Sequence, residues 1–335
     1  YFTKSIFQPN SDDSYIDQMV DFLGTHHHRV VLEPEALCAA LLPATDARAL
    51  PGMADVDSSL LLFCAAVKRG GTTVCLSGEC ADELFGGYPY YQECLAFAPY
   101  MTVPAPARRA LAAAARRLPE GTHGRRFLMR GAHPLPERYI RLEYNFPWAE
   151  ALDLLAPELG ARCAAAPTPW ELAAPLFAEI EADEITAMQT ADILTWMQQD
   201  ILLKADKMSM ASSLELRVPF LDREVFALAS TLPVSQRVGR RETKIALRAA
   251  AARTLPQATA AMPKQGFVTP LAQWLRKDPW REQVHEVLNS ERARRFFRTD
   301  RLNALLDEHQ RGPRSHMKKI WSAYCFLIWH EQYFG

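Results

Sequence analysis

Glu79, Asp82 and Glu83 put three carboxylates within five residues, directly after Ser77-Gly78 and ahead of Gly86-Gly87. Carboxylates so spaced suit a hard cation such as Mg²⁺, and a serine–glycine pair lets the backbone come close to a phosphate. The same residues also make an ordinary acidic turn with a helix N-cap, and spacing alone leaves both readings open. Lys244 falls at the start of a helical pattern over 241–248. A lysine in a first turn opposes the helix macrodipole, so the position suits either an anion in front of the helix or a solvated surface lysine. Lys264 belongs to Pro263-Lys264-Gln265-Gly266-Phe267, a basic turn beside a glycine hinge or an ordinary surface loop. Asp55, Asp57, Ser58 and Ser59 precede an apolar run, where helix capping explains two acids and two hydroxyls.

The elements that must position these groups follow from periodicity. Residues 72–76 are apolar and rich in β-branched side chains, which predicts a buried strand ending at Ser77-Gly78. Before it, residues 1–10 read as a loop, 11–23 as a helix closed by Gly24, and 29–33 as a short strand. Pro34 then opens a second helix, and residues 60–67 form a third. Helices alternating with strands imply a parallel, doubly wound α/β sheet, with ligands gathered beyond the carboxyl ends of the strands.

Beyond residue 100 the pattern turns helical. Residues 105–118 make an Ala/Arg helix, and 125–148 lack a clear period and read as irregular packing. Residues 182–213 carry the longest apolar stripe, interrupted near its end by Lys204, Asp206 and Lys207. Asp206 and Arg217 are a candidate salt bridge, and Asp222 a candidate cap for the helix that follows. Trp321, Tyr324 and Ile328 lie on one face of a C-terminal packing helix.

Composition narrows the function classes. The chain has 335 residues, 49% of them apolar and 23% charged, as in an ordinary globular protein. Its 38 basic and 39 acidic residues nearly cancel, so no mean field draws in nucleic acid or a membrane surface. The arginines between 108 and 130 are read as a solvated helix face. Seven cysteines without a Cys-x-x-Cys pair argue against a disulfide framework or a zinc ribbon, and fit a reducing cytoplasm. His26-His27-His28 is not read as a metal site, because adjacent residues cannot all face one ion. No apolar run reaches the length of a membrane span.

Two long stretches carry a resemblance. Ser77-Gly78-Glu79-Cys80-Ala81-Asp82-Glu83-Leu84-Phe85-Gly86-Gly87-Tyr88 resembles the signature of the synthetase domain of glutamine-hydrolysing asparagine synthases. The run from Leu203 through Asp206, Arg217 and Asp222 is similar to a second signature of that family. The 50–59 stretch, Thr243-Lys244 with Leu247-Arg248, the Lys264 loop and the C-terminal Trp helix resemble family segments in the same order.

The resemblance implies a fold of the ATP-pyrophosphatase (adenine nucleotide alpha-hydrolase-like) type, with 1–100 as its α/β nucleotide-binding part and 101–335 as its mainly helical part. It implies ATP and Mg²⁺ as cofactors, and aspartate and glutamine-derived ammonia as substrates that combine through β-aspartyl-AMP. Ser77, Gly78, Asp82, Lys244 and Lys264 would bind ATP and pyrophosphate, with Asp82 also on the Mg²⁺. Lys244 and Glu79 would be catalytic, and Asp55, Asp57 and Ser58 would line the substrate side. A cytoplasmic protein and a homodimer are further expectations from the family.

The family also opens this domain with a Ser-Gly-Gly-x-Asp-Ser pyrophosphate loop and precedes it with a glutaminase domain. Residues 1–335 contain no such string and no such domain. The expectation is therefore an N-terminally truncated synthetase portion, inactive by itself. Another amide-forming ligase on the same scaffold, of the β-lactam synthetase or lasso-peptide cyclase type, and a non-catalytic remnant are the alternatives.

Overall fold

The computed structural model describes residues 2–5, 13–52, 54–119, 121–140, 145–264 and 269–335, with the side chains of 2–5, 13, 54 and 55 left aside. It is an α/β protein dominated by helices. Strand β1 (Phe2–Ser5) runs parallel to β2 (Arg29–Leu32), with Phe2 opposite Arg29, and the Asp13–Leu23 helix makes the crossover. Residues 2–5 are thus strand, not the expected loop, because they find a parallel partner that local composition does not reveal.

Strand β3 (Val74–Leu76) runs parallel to β4 (Glu215–Arg217), some 140 residues later in the chain. Backbone bonds extend the pair at both ends: Glu215 N–H donates to Thr73 O, and Ser77 N–H to Arg217 O. Among the described residues these are two separate two-stranded parallel sheets. Nor is β3 the buried strand that 72–76 predict. Leu76 is 74% exposed and Val74 41%, while Cys75 faces inward against Cys64, Val67 and Leu214.

The largest apolar cluster joins Leu32, Leu37 and Leu41 to the last sixty-odd residues of the chain. The Met317–Phe334 helix runs through it, burying Ile320, Trp321, Tyr324, Leu327 and Ile328, the apolar stripe of a 3.6-residue period. Trp274 stacks on Trp280 at 5.5 Å, Trp280 meets Trp321 at 5.5 Å, and Trp321 stacks on Tyr324 at 5.0 Å. Such a ladder ties the C-terminal helix to the first α/β elements. Residues 125–148, expected to be irregular, hold helices at Arg125–Arg130 and Leu135–Ile140, with a third starting at Trp148. Their prolines stand at helix starts, which a search for unbroken periods overlooks.

The long stripe after residue 182 becomes three consecutive helical segments. Asp183 caps Glu184–Asp192 by accepting from Ile185 N and Thr186 N, each at 3.0 Å. A π-helix follows over Ile193–Leu202, and an α-helix over Leu203–Met210. At the transition the Thr195 hydroxyl donates to Ala191 O at 2.6 Å, engaging the carbonyl four residues back and loosening the regular ladder. Asp222 caps Arg223–Thr231 as expected, accepting from Glu224 N at 2.9 Å. Asp206 and Arg217 form no ion pair. Arg217 instead meets Glu215 on its own strand at 2.7 Å, both exposed.

Candidate functional site

The loop leaving β3 carries Ser77, Gly78 and Glu79, and the Glu79 amide donates to Ser77 Oγ at 3.4 Å. A β-carbon at Gly78 would meet nothing within 4 Å, so the backbone there faces open space. Cys80 then adopts a left-handed φ of 71°, which turns the chain into the Ala81–Phe85 helix and aims Asp82 across the loop.

Asp82 meets two lysines. Its Oδ1 is 2.8 Å from Lys244 Nζ and its Oδ2 3.3 Å from Lys264 Nζ. The Lys244 contact is one of charge and not a directed hydrogen bond. Gly87 makes it possible: a β-carbon there would lie 1.9 Å from Asp82 Oδ1 and 2.2 Å from Lys244 Cε. Lys244 has φ 54° and immediately precedes the Ile245–Ala251 helix. It therefore stands before the first turn, not in it as the pattern over 241–248 suggests. Lys264 also lies over the Tyr88 ring, 5.7 Å from its centroid.

A cavity of about 320 Å³ opens beside these groups, lined by Ser59, Glu79, Asp82, Tyr88, Lys204 and Lys264 among others. Burial raises the Glu79 carboxyl above the usual carboxylate range, although Lys204 and Ser77 pull it back. Glu83 is buried, its Oε1 accepts from Tyr88 Oη at 2.5 Å, and burial raises its carboxyl too. All three carboxylates line the one cavity but are held differently: Asp82 by two lysines, Glu83 by the Tyr88 hydroxyl, and Glu79 beside Lys204 and Ser77. Among the described residues no three acidic, thiol or imidazole groups come together to hold a metal ion. Among the described residues, Asp82 is already held by two lysines and Glu83 by the Tyr88 hydroxyl, which does not make a preformed metal centre.

Asp57 and Ser58 are buried inside the helix that starts at Ala54, not ahead of it. Arg48 donates to Asp57 Oδ1 and Oδ2 at 3.0 and 3.2 Å, and its other nitrogen donates to Asp200 Oδ1 at 2.7 Å. Burial alone would lower the Arg48 pKa, but Asp57 and Asp200 more than offset it. On Asp57 burial outweighs Arg48, and the carboxyl is raised. Asp57 is therefore occupied in holding Arg48 and does not face the cavity, where Ser59 is found instead. The side chain of Asp55, and Gln265, Gly266 and Phe267 after Lys264, lie outside the described residues.

Sequence reasoning missed Arg48, Asp200 and the bond from half-buried Tyr88 to Glu83. The one available signal is Lys204, a charge interrupting an apolar stripe; its Nζ donates to Asp200 Oδ2 at 3.3 Å. Part of the arginine-rich stretch is also structural, since Arg108 donates to Gly131 O at 2.6 Å and Arg130 pairs with Glu93 at 2.5 Å. All seven cysteines are free thiols. Among the described residues no helix is long and apolar enough to cross a membrane.

The chain matches the family model for asparagine synthase over residues 2–331. It is 38% identical over 312 residues to a putative glutamine-hydrolyzing asparagine synthetase of Mycobacterium tuberculosis, covering 92% of this chain and 46% of that protein. Glutamine-hydrolyzing asparagine synthetase 1 of Bacillus subtilis is 38% identical over 283 residues, covering 83% of this chain and 43% of the relative. Asparagine synthetase 3 of the same organism is 32% identical over 256 residues. The chain spans about half the length of the curated relatives it matches.

Proposed function

Because the chain belongs to the asparagine synthase family, we propose that it carries the nucleotide-dependent half of asparagine synthesis: activation of the aspartate β-carboxylate by ATP, then amide formation with glutamine-derived ammonia. The observation that carries this reading is the pair of lysines closing on Asp82 at the carboxyl end of β3, beside a cavity large enough for a small substrate.

In the first step a β-carboxylate oxygen attacks the α-phosphorus, the bond to the bridging oxygen breaks, and pyrophosphate leaves. Negative charge grows on the leaving oxygens. Lys244 and Lys264 are fixed cations that offset it, and loss of one preorganised donor typically costs about 2.7–4 kcal/mol of transition-state stabilisation. Ser77 and Gly78 border the nucleotide, where the lack of side-chain crowding at Gly78 lets phosphate oxygens approach the backbone.

In the second step the ammonia nitrogen bonds to the acyl carbon and AMP departs. The nitrogen must shed a proton. Glu79, lining the same cavity with its carboxyl raised by burial, is the base whose affinity for protons is best matched to that task. Mg²⁺ belongs to this reading as the counter-ion that arrives with ATP; Asp82 would be the carboxylate to meet it, and no step above is routed through the metal.

The fold proposal is that the parallel pairs β1–β2 and β3–β4, separate among the described residues, are portions of a doubly wound fold of the ATP-pyrophosphatase type, with residues 1–100 as nucleotide-binding part and 101–335 as helical part. Cytoplasmic location and a homodimeric assembly complete the reading. Its test is aspartate-dependent exchange of labelled pyrophosphate into ATP by the protein that carries this chain. Exchange is expected in wild type and lowered about 10²-fold in Lys244→Ala; equal exchange without aspartate would sink the assignment.

A further inference from the structure

A second cavity, of about 370 Å³, adjoins the first across Tyr88, which lines both. Its walls are aromatic, Tyr88, Tyr90, Tyr139 and Trp196, and its acids are Asp192 and Asp200. Asp192 is fully engaged by phenols: Tyr139 donates to Oδ1 at 2.6 Å, and Tyr90, at 2.8 Å, and Tyr91 donate to Oδ2. Aromatic faces around carboxylates make a place for an organic cation.

Asp200 and Lys204 join the two cavities. They form an ion pair at 3.3 Å, four residues apart, with Asp200 lining the aromatic cavity and Lys204 the cavity that holds Glu79 and Asp82. Arg48, buried and also bound to Asp57, holds the other Asp200 oxygen at 2.7 Å, so the pair stands on a fixed base. One element therefore offers an anion to one side and a cation to the other.

An amino-acid head group has the complementary arrangement, an ammonium and a carboxylate on one carbon. We propose that the Asp200–Lys204 pair reads this zwitterion: Asp200 takes the α-ammonium at the edge of the aromatic cavity, and Lys204 takes the α-carboxylate. The side chain of the amino acid then extends toward Lys264 and Asp82. The assignment rests on the function proposed above, and it turns two residues of a helix surface into the specificity determinants for substrate.

The test compares three probes with the full protein. Succinate keeps both carboxylates and lacks the ammonium; β-alanine keeps the ammonium and lacks the α-carboxylate. Binding of aspartate, succinate and β-alanine is measured by calorimetry for wild type, Asp200→Asn, Lys204→Met and Lys204→Arg, with thermal melting to check the fold. Asp200→Asn is expected to weaken aspartate and β-alanine at least 10-fold and leave succinate unchanged. Lys204→Met is expected to weaken aspartate and succinate at least 10-fold and leave β-alanine unchanged, with Lys204→Arg restoring much of the loss. A uniform loss for all three probes, or no loss for aspartate, would overturn the proposal. Wild type that discriminates the probes in this way but lacks pyrophosphate exchange would leave the head-group site standing and remove the function assigned above.

Discussion

Gly87 lies against the contact between Asp82 and Lys244 so closely that a β-carbon on it would be 1.9 Å from Asp82 Oδ1. The glycine and the ion pair are one device. Its neighbour Gly86 has a different reason, a left-handed φ of 73° and a packed contact with Val238.

Gly87→Ala should therefore act on chemistry more than on folding. Both obstructing groups are ends of flexible side chains, which can swing away, so the melting temperature should move little. Pyrophosphate exchange should fall about 10²-fold, in line with loss of a preorganised donor. A normal exchange rate in the folded variant would mean that the contact is incidental.

Lys244→Ala and Lys264→Ala should each lower kcat by roughly 10²-fold with a smaller change in KM for ATP, because their charge is needed most when pyrophosphate leaves. Steady-state kinetics with ATP as the varied substrate separates the two. A change confined to KM would make them binding groups only.

Arg48 is the keystone of a buried charge cluster. Its side chain is 7% exposed and Asp57's 2%. Arg48→Met should destabilise the fold by about 3–5 kcal/mol, since it leaves Asp57 buried without a partner. Denaturant titration measures the loss. In the double variant Arg48→Met/Asp57→Leu much of it should return; simple additivity would show that the pair is not coupled.

Burial raises the carboxyls of Glu79 and Glu83, so each folded-state pKa lies above the unfolded value of about 4.3. Their stabilising contribution is full below that unfolded value and is lost as pH rises through the folded one. Glu83→Gln keeps an acceptor for the Tyr88 hydroxyl and removes the titration. Relative to wild type, the variant should gain stability as pH is raised from 4 to 8. A pH-independent difference in melting temperature would contradict the assignment.

What was legible in the sequence was local. Ser77 through Tyr88 reads as a strand end followed by a turn, and residue type and position single out Asp82, Lys244 and Lys264 without revealing their contact. Asp222 and the Trp321 stripe follow from capping and period alone. The failures share a cause. Strand β1 at residues 2–5, the burial of Asp57 and the Arg48–Asp200 contact, 152 residues apart, depend on partners distant in the chain. No local pattern encodes them. Three acids in five residues do reach one cavity, but two of them are tied up by partners remote from the turn or beyond it, Asp82 by Lys244 and Lys264 and Glu83 by Tyr88, which spacing alone does not reveal.

The π-helix over Ile193–Leu202 has a consequence for how such a protein can change. A π segment turns less per residue than an α-helix, so the helix carrying Asp192 and the helix carrying Lys204 are out of phase with a straight α-helix of the same length. Adding or removing one residue between them would rotate Asp200 around the axis while Leu203–Met210 stayed anchored by its own packing. One residue more or less swings that carboxylate through roughly a quarter turn, so length here is a coarse selector of bearing. A change in length there would reset the wall that carries Asp200, Trp196 and Gln199, with Tyr88, Tyr90 and Tyr139, which stand on other segments, left in place.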